Sequence, residues 1–154
     1  MLTLSSADLA GLLRASLARG VSLRFHATGS SMSPFIRDDD VITISPLGAA
    51  EIGIGDVVAF TRPGTDRLVI HRIVRVESGS FLLQGDNVVE ADALIPAGGL
   101  LGRLTGIERK GRACRLGLGP ERRLIAVCNR CGLLPLLLAL FRKVYRWFAP
   151  RSEE

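Results

Sequence analysis

The sequence has few lysines, few aromatic residues and no long uncharged apolar stretch. Lys110 and Lys143 are its only lysines among 154 residues, which excludes a mechanism that needs a lysine in the first two thirds of the chain. Aromatic residues make up 5% of the chain and hydrophobic residues 47%, so the core must be built mainly from Leu, Val, Ile and Ala. A chain of this length favours one compact domain over two.

The cysteines are also few. Cys114, Cys128 and Cys131 cannot form a disulfide framework. Cys128 and Cys131 have the spacing of a redox or metal pair, but no second pair and no nearby histidine complete a zinc site. We therefore expect free thiols, with no metal and no cofactor.

Nothing in the sequence predicts a conventional membrane-spanning segment. Asp8, Arg14 and Arg19 interrupt the N-terminal apolar stretch, which argues against a secretory signal. The longest uncharged apolar run, Cys131–Phe141, is far below the roughly 20 residues that cross a bilayer. We expect no transmembrane helix.

Positive charge is concentrated in the C-terminal third. The net charge is +5, and the stretch from Arg103 to Arg151 contains many basic residues but only Glu108 and Glu121 as acids. This asymmetry predicts an anionic partner surface. Nothing resembles a nucleic-acid recognition helix or a stacking platform, so no nucleic acid is expected.

The apolar stretch near the C-terminus continues directly into basic residues, with Trp147 beside them. This pattern predicts that residues 124–148 lie at a membrane interface, where long basic side chains reach lipid phosphates. The alternative is a helix docked on the domain, with its basic face in water. On the first interpretation the protein is membrane-associated, on an undetermined side. On the second it is cytoplasmic.

The N-terminal residues 1–20 have a helical pattern. Ser5 and Ser6 precede it, Gly20 ends it, and one face carries leucines, namely Leu9, Leu12, Leu13 and Leu17. This helix either packs on the domain or makes a shallow contact with a membrane or a partner.

From Val21 the apolar pattern has a period of two, which predicts strands. The candidates after residues 21–26 are short and separated by Gly, Pro and Asp: Val41–Ser45, Asp56–Thr61, Arg67–Val76, Ser80–Gln84 and Leu101–Arg109. We predict a mainly β fold, with a coiled antiparallel or barrel-like sheet over residues 21–110. Residues 111–154 form a basic, apolar segment with one or more helices.

A serine-rich loop is the first candidate for chemistry. Gly29 permits unusual backbone angles and Pro34 stiffens the exit of the loop. A serine held there, such as Ser31, can expose its hydroxyl while neighbouring N–H groups of the loop, such as that of Ser30, point at an oxyanion. An ordinary serine-rich turn is the alternative.

His71 lies in an apolar strand, on the face of Val69 and Ile73. It has the chemistry of a general base, although a structural histidine is the alternative. Among the acids that follow, Asp86, Glu90 and Asp92 could each orient an imidazole or simply face water in a turn.

Four motifs occur in a fixed order: Ser31-Met32-Ser33-Pro34, Gly55–Phe60, Ile70–Val74 and Gly85-Asp86-Asn87. Together they resemble the signal peptidase I superfamily, which also includes the self-cleaving repressors of the SOS response. The resemblance covers about half of the chain, from Arg24 to Glu108.

This resemblance implies that Ser31 is the nucleophile and that the base stands before the arginine of the third motif, which is His71. The motifs contain no lysine, so the sequence is similar to the branch of endoplasmic-reticulum and archaeal signal peptidases that use Ser, His and Asp. Their acid lies about six residues after the aspartate of the last motif, which favours Asp92 and leaves Asp86 as a loop organiser or second acid. Backbone N–H groups of Gly29–Ser31 would bind the oxyanion.

The implied activity is that of a serine endopeptidase that cleaves a leader or precursor peptide. Substrates of the family bind as extended strands, with small residues at the first and third positions before the cut. A catalytically silent peptide-binding scaffold is the alternative. A self-cleaving regulator is disfavoured because the lysine is absent and only about twenty residues precede the first strand.

The sequence departs from the family pattern at two places. A charged helix stands where relatives carry a transmembrane anchor. In Asp38-Asp39-Asp40, Asp39 replaces the usual glycine and Asp40 fits the aspartate position. We predict a structural turn there, with no catalytic role.

Overall fold

The computed structural model describes residues 4–48 and 51–148, with the side chains of the last helix described up to Lys143. The first helix, α1, spans Ser6–Ala18. It begins there because Ser5 and Asp8 form a capping box, in which each side chain bonds the backbone N–H of the other. Gly20 follows the helix with φ +75°, a conformation that glycine adopts without strain.

The face that α1 buries differs from the predicted leucine face at Leu12. The helix buries Ala10, Leu13 and Leu17, whereas Leu12 is 45% exposed. Residues three and four apart share a helix face, so the buried face passes through Ala10 and leaves Leu12 beside it in solvent.

Within the part of the chain that the structure describes, eight strands follow, all paired antiparallel. They are β1 Leu23–His26, β2 Val41–Ser45, β3 Val57–Thr61, β4 Leu68–Glu77, β5 Ser80–Gln84, β6 Leu94–Pro96, β7 Leu100–Arg109 and β8 Arg112–Ala113. All of them belong to one sheet, in which seven lie in the order β1-β2-β7-β3-β4-β5-β6 and β8 pairs with β7. The sheet is curled into a half-barrel, which confirms the predicted mainly β fold. Strands β6 and β8 were not predicted from the sequence, because a run of two or three residues is too short to show alternation of apolar and polar side chains.

The sheet buries both of its faces near the centre. In β3, four consecutive residues from Val57 to Phe60 are buried. Val57 and Ala59 face a cluster that includes Leu13 of α1, whereas Val58 and Phe60 face a second cluster with residues of β4 and β5. Successive strand side chains point to opposite faces, so this central strand supports both clusters.

Two helices follow the sheet: α2 Arg122–Arg130 and α3 Leu134–Phe148. Ile125 of α2 and Leu134 of α3 pack with Phe35, which belongs to the segment just after the serine loop. One side of this helix pair is therefore docked on the domain. Among the described residues, no single helix is long and apolar enough to span a bilayer. By length and composition alone, Arg122–Arg130 together with Leu134–Lys143 would suffice, but these segments are bent by 113°.

The turn at Asp38-Asp39-Asp40 anchors the start of β2 to the end of β7. Asp39 has φ +68°, the left-handed conformation that a glycine would adopt without strain. Asp40 is buried and accepts hydrogen bonds from Arg109 at 2.9 and 2.7 Å and from the Arg37 N–H at 2.8 Å. Burial raises the pKa of Asp40, but these hydrogen bonds and the arginine charges outweigh it and hold the pKa below 3.8.

This ion pair predicts a pH-dependent contribution to stability. Because the pKa of Asp40 is lowered by folding, its contribution is complete above pH 3.8 and is lost as the pH falls through the folded-state value. Asp40→Asn is expected to lower the free energy of unfolding by about 2 kcal/mol at pH 7, with the difference from wild type shrinking toward pH 2. Urea unfolding at several pH values measures this difference in the free energy of unfolding.

The matched control is Glu108→Gln, which removes the exposed pair that Glu108 forms with Arg24. Exposed pairs contribute little, so this variant should unfold within about 0.5 kcal/mol of wild type. An equal and pH-independent loss in both variants would contradict the assignment to Asp40.

Candidate active site

The histidine of the site is fixed by its strand. His71 lies in β4 opposite Val58 of β3, and only 4% of the residue is exposed. The ring of Phe60 packs near it, with the ring centroids 6.1 Å apart. The predicted face is correct, since Val58, Phe60, Val69 and Ile73 all belong to the same apolar cluster. An imidazole in such surroundings needs polar partners at its nitrogens.

Asp92 is that partner at Nδ1. The chain leaves β5 at Gln84, makes a loop and returns, and the Asp92 N–H bonds the Leu83 carbonyl at 2.8 Å. The Gln84 side chain closes the loop by donating to the carbonyls of Val88 and Val89 at 2.9 and 3.1 Å. A carboxylate oxygen of Asp92 is thereby placed in a short hydrogen bond with His71 Nδ1.

The surroundings of Asp92 favour its ionised form. Burial raises the pKa of Asp92, but the hydrogen bond and charge of His71, together with Arg62, outweigh it and hold this pKa below 3.8. Arg62 Nη2 donates to the other carboxylate oxygen at 3.3 Å. An ionised carboxylate can only accept hydrogen bonds, so Nδ1 carries the proton and Nε2 is left as the basic nitrogen.

The serine loop meets the histidine across Gly85. A Cβ atom added to Gly85 would lie 2.6 Å from the Ser31 carbonyl oxygen and 3.0 Å from His71 Nε2. Asn87 holds the loop there with two hydrogen bonds: its backbone N–H donates to the Ser31 carbonyl at 2.8 Å and its side-chain amide donates to the Ser30 carbonyl at 3.2 Å. Loop and imidazole are thus neighbours, although their residues are far apart in sequence.

The polar groups of the serine loop differ in their hydrogen-bond partners. Ser31 is half-buried, and its hydroxyl makes no hydrogen bond, to His71 or otherwise, within the described residues. The Gly29 N–H, predicted as an oxyanion donor, instead donates to Asp38 Oδ1 at 2.8 Å. Gly29 has φ +91°, a backbone conformation that glycine adopts without strain, and this is why a glycine occupies the position. The N–H groups of Ser30 and Ser31 make no hydrogen bond within the same residues.

The second predicted acid, Asp86, lies in a different network. It is 1% exposed and forms a bidentate pair with Arg72, whose Nε and Nη2 donate at 2.8 and 2.7 Å. The same guanidinium donates to the carbonyls of Gly55 and Gly117 at 2.8 and 2.9 Å. Asp86 therefore organises the loop through Arg72, while Asp92 meets the imidazole. Glu90 is exposed.

Gly85→Ala tests whether the serine and the imidazole meet across this glycine. The new methyl group would clash with the Ser31 carbonyl and crowd His71 Nε2, so it should separate the two. We expect kcat on a cleaved peptide to fall by about 100-fold, with the fold retained.

The matched control is Gly98→Ala, because a Cβ there would meet no atom within 4 Å. It should keep wild-type kcat. A folded Gly85→Ala protein with unchanged kcat would show that the reacting groups do not meet at this position.

Three residues of the site and its surroundings were missed from the sequence. Arg72 directly follows His71 in an apolar strand, and a buried guanidinium there demands an acid, so its pairing could have been anticipated. Asn129 is a lone amide among the apolar residues of α2, which is a weaker signal. Arg62 carries no sequence signal. Among the described residues, no three His, Cys, Asp or Glu side chains cluster as a metal ion would require.

Comparison with known protein families shows which family this chain belongs to. A family model described as Peptidase S24-like matches residues 20–100. The chain belongs to the Peptidase S24-like family. Comparison with curated proteins finds no match. The family match includes Ser31, His71 and Asp92 and supports the S24/S26 peptidase superfamily, and with it a serine peptidase.

Proposed function

We propose that the protein is a serine endopeptidase of the signal-peptidase type, with Ser31 as nucleophile, His71 as general base and Asp92 as the acid behind the histidine. The observation that supports it best is the position of His71. Its Nδ1 bonds Asp92, and a Cβ added to Gly85 would meet both its Nε2 and the Ser31 carbonyl oxygen, so Nε2 faces the serine loop. A base oriented by a carboxylate and facing a serine loop is the arrangement that activates a hydroxyl for acyl transfer.

The first half of the reaction forms an acyl-enzyme. Ser31 Oγ attacks the peptide carbonyl carbon while His71 Nε2 takes the hydroxyl proton. The N–H groups of Ser30 and Ser31 are the oxyanion donors in this proposal, because the Gly29 N–H is engaged by Asp38. The proton on His71 then passes to the leaving amine as the peptide bond breaks.

The second half releases the new carboxylate. A water molecule gives a proton to His71 Nε2 as its oxygen attacks the ester carbon, and the same proton returns to Ser31 Oγ when the ester bond breaks. Asp92 remains ionised throughout and stabilises the imidazolium form of His71. Its lowered pKa fits this role.

The proposed substrate is a leader or precursor peptide in an extended conformation. The family resemblance implies small residues at the first and third positions before the cut. The open position of the serine loop suits such a strand, since Ser30 is exposed and Ser31 is half-buried. No metal or cofactor takes part.

A fluorophosphonate probe tests the proposal directly, because it reacts with activated serines. Purified protein should be labelled at Ser31, as located by mass spectrometry of the digested product. The labelled protein should no longer cleave a precursor peptide that carries small residues before the cut.

His71→Ala is the control, since it removes the base and should abolish labelling. Labelling of Ser30 or Ser33 would contradict the choice of nucleophile. An unlabelled and inactive native protein would instead favour the silent peptide-binding scaffold.

We also propose that the outer face of α2 and α3 lies on an anionic membrane surface. Four apolar residues of α3 are exposed at helical spacing, namely Leu136, Leu137, Leu140 and Phe141. Basic residues flank them and residues 122–148 contain no acid, which complements anionic headgroups. The predicted contribution of Trp147 lies outside the described side chains.

Flotation with vesicles tests this placement. The protein should float with phosphatidylcholine vesicles that contain phosphatidylglycerol and remain at the bottom with phosphatidylcholine alone. Replacing both Leu136 and Leu140 with aspartate should prevent flotation, because it removes buried apolar area and adds repelled charge. Leu12→Asp, on the exposed side of α1, should float normally. Wild-type protein that stays at the bottom with both vesicles would leave a protein partner as the occupant of this face.

A further inference from the structure

The loop that follows β5, which contacts both the serine loop and His71 at Gly85, is hydrogen-bonded by helix α2. The side chain of Asn129 is buried, with 2% of the residue exposed. Its amide donates to the Gly85 carbonyl at 3.1 Å and lies 3.5 Å from Asp86 Oδ1. Asn129 lies outside residues 20–100, the part matched by the family model.

The contact is made at the residue whose position matters most. Gly85 lies between the Ser31 carbonyl and His71 Nε2, with room for no side chain. Its carbonyl accepts one bond from the Val88 N–H at 3.2 Å, within the local turn, and the other from Asn129. The turn bond shapes the loop, whereas the Asn129 bond is the one that, among the described residues, ties the Gly85 carbonyl to a separate element of the fold.

The residue type fits this role better than a packing role. The other buried positions of α2, Ile125 and Ala126, are apolar. An amide buried among them is costly unless it is hydrogen-bonded, and an aliphatic residue would pack there without that cost. The carboxylate of Asp86 already has Arg72 as its partner, so the bond to the Gly85 carbonyl is the specific contribution of Asn129.

We infer that Asn129 is a positioning residue of the active site, acting through the Gly85 peptide to set the separation of Ser31 from His71. It touches neither the substrate nor the reacting atoms. The inference rests on the proposed peptidase function, and it makes α2 part of the working site rather than an appendage.

Asn129→Ala removes the donor, and Asn129→Asp keeps the shape but turns a carboxylate toward the Gly85 carbonyl and Asp86. We expect kcat to fall by about 10- to 100-fold in the alanine variant and further in the aspartate variant, with KM for the peptide nearly unchanged. Asn129→Gln, which retains the amide, should recover part of the loss. Ile125→Ala is the matched control, because it removes buried contact with Phe35 from the same helix but no bond to the Gly85 carbonyl, and it should lower stability but not kcat.

Hydrogen exchange of the Asn87 amide supplies a readout that needs no activity. This N–H bonds the Ser31 carbonyl, so loosening the loop should speed its exchange by about tenfold in Asn129→Ala but not in Ile125→Ala. Equal exchange and equal kcat in these two variants would overturn the inference, as would fast exchange with wild-type kcat. If the wild-type protein neither cleaves nor labels, the proposed function fails, and slow exchange in Asn129→Ala would overturn the inference by itself.

Discussion

Replacing Ser31 with alanine is expected to lower kcat/KM for a cleaved peptide by about 10⁴- to 10⁶-fold, because the proposed mechanism has no other nucleophile. Removing the hydroxyl should leave the fold intact. Ser31 Oγ makes no hydrogen bond within the described residues, so its loss leaves no partner unsatisfied there. Peptide binding should also persist, since the proposed oxyanion donors are backbone N–H groups, which the substitution leaves in place. Steady-state cleavage and peptide binding measured on one preparation separate the two effects.

The same loop offers two controls of the same type. Ser30 is exposed and Ser33 is half-buried, and alanine at either position should change kcat/KM by a few-fold at most. Loss of cleavage in Ser30→Ala with activity retained in Ser31→Ala would assign the nucleophile to the neighbouring residue. Loss in all three would point to the shape of the loop instead of a hydroxyl.

Breaking the Arg72–Asp86 pair is expected to be the most damaging of these changes for stability. Both side chains are almost fully buried, at 1% exposure. Arg72→Met leaves the Asp86 carboxylate without its bidentate partner and also removes the donors to the Gly55 and Gly117 carbonyls. We expect the free energy of unfolding to fall by about 3–5 kcal/mol, measured by urea denaturation.

A double-mutant cycle tests whether the loss comes from the uncompensated charge. Arg72→Met combined with Asp86→Leu should be less unstable than the sum of the single changes, because neither charge is then left buried alone. The control is Glu77→Gln, which removes the exposed pair with Arg75 and should cost less than about 0.5 kcal/mol. Additive single changes would contradict the proposed coupling.

Much of the fold is predictable from local patterns. The alternation of β2 and the limits of β2 and β5 are clear because these strands are bounded by turn residues and half or fully buried. The leucine pattern of α1 predicts a helix, but it cannot say which leucine lies at the edge of the contact. That depends on how the helix lies on β4 and β7, and Leu12 is exposed for this reason.

The candidate acid shows the same limit. Spacing within a family motif favoured Asp92 over Asp86, yet nothing local distinguishes two aspartates in one loop. Their environments differ because the loop folds back at Gln84. Asp86 turns into the interior toward Arg72, and Asp92 returns to bond the Leu83 carbonyl of β5, where its carboxylate meets His71.

The sequence by itself determined the candidates for the proposed chemistry: a serine in a loop that begins at a glycine, a histidine in an apolar strand and no lysine before Lys110. Residue types and their order are one-dimensional facts, and the family motifs are written in that order. Only the tertiary structure decided which groups meet. Gly85 lies between Ser31 and His71, and Asn129, 44 residues further along the chain, bonds its carbonyl. Such contacts depend on how the half-barrel curls and where α2 docks, which no local spacing contains.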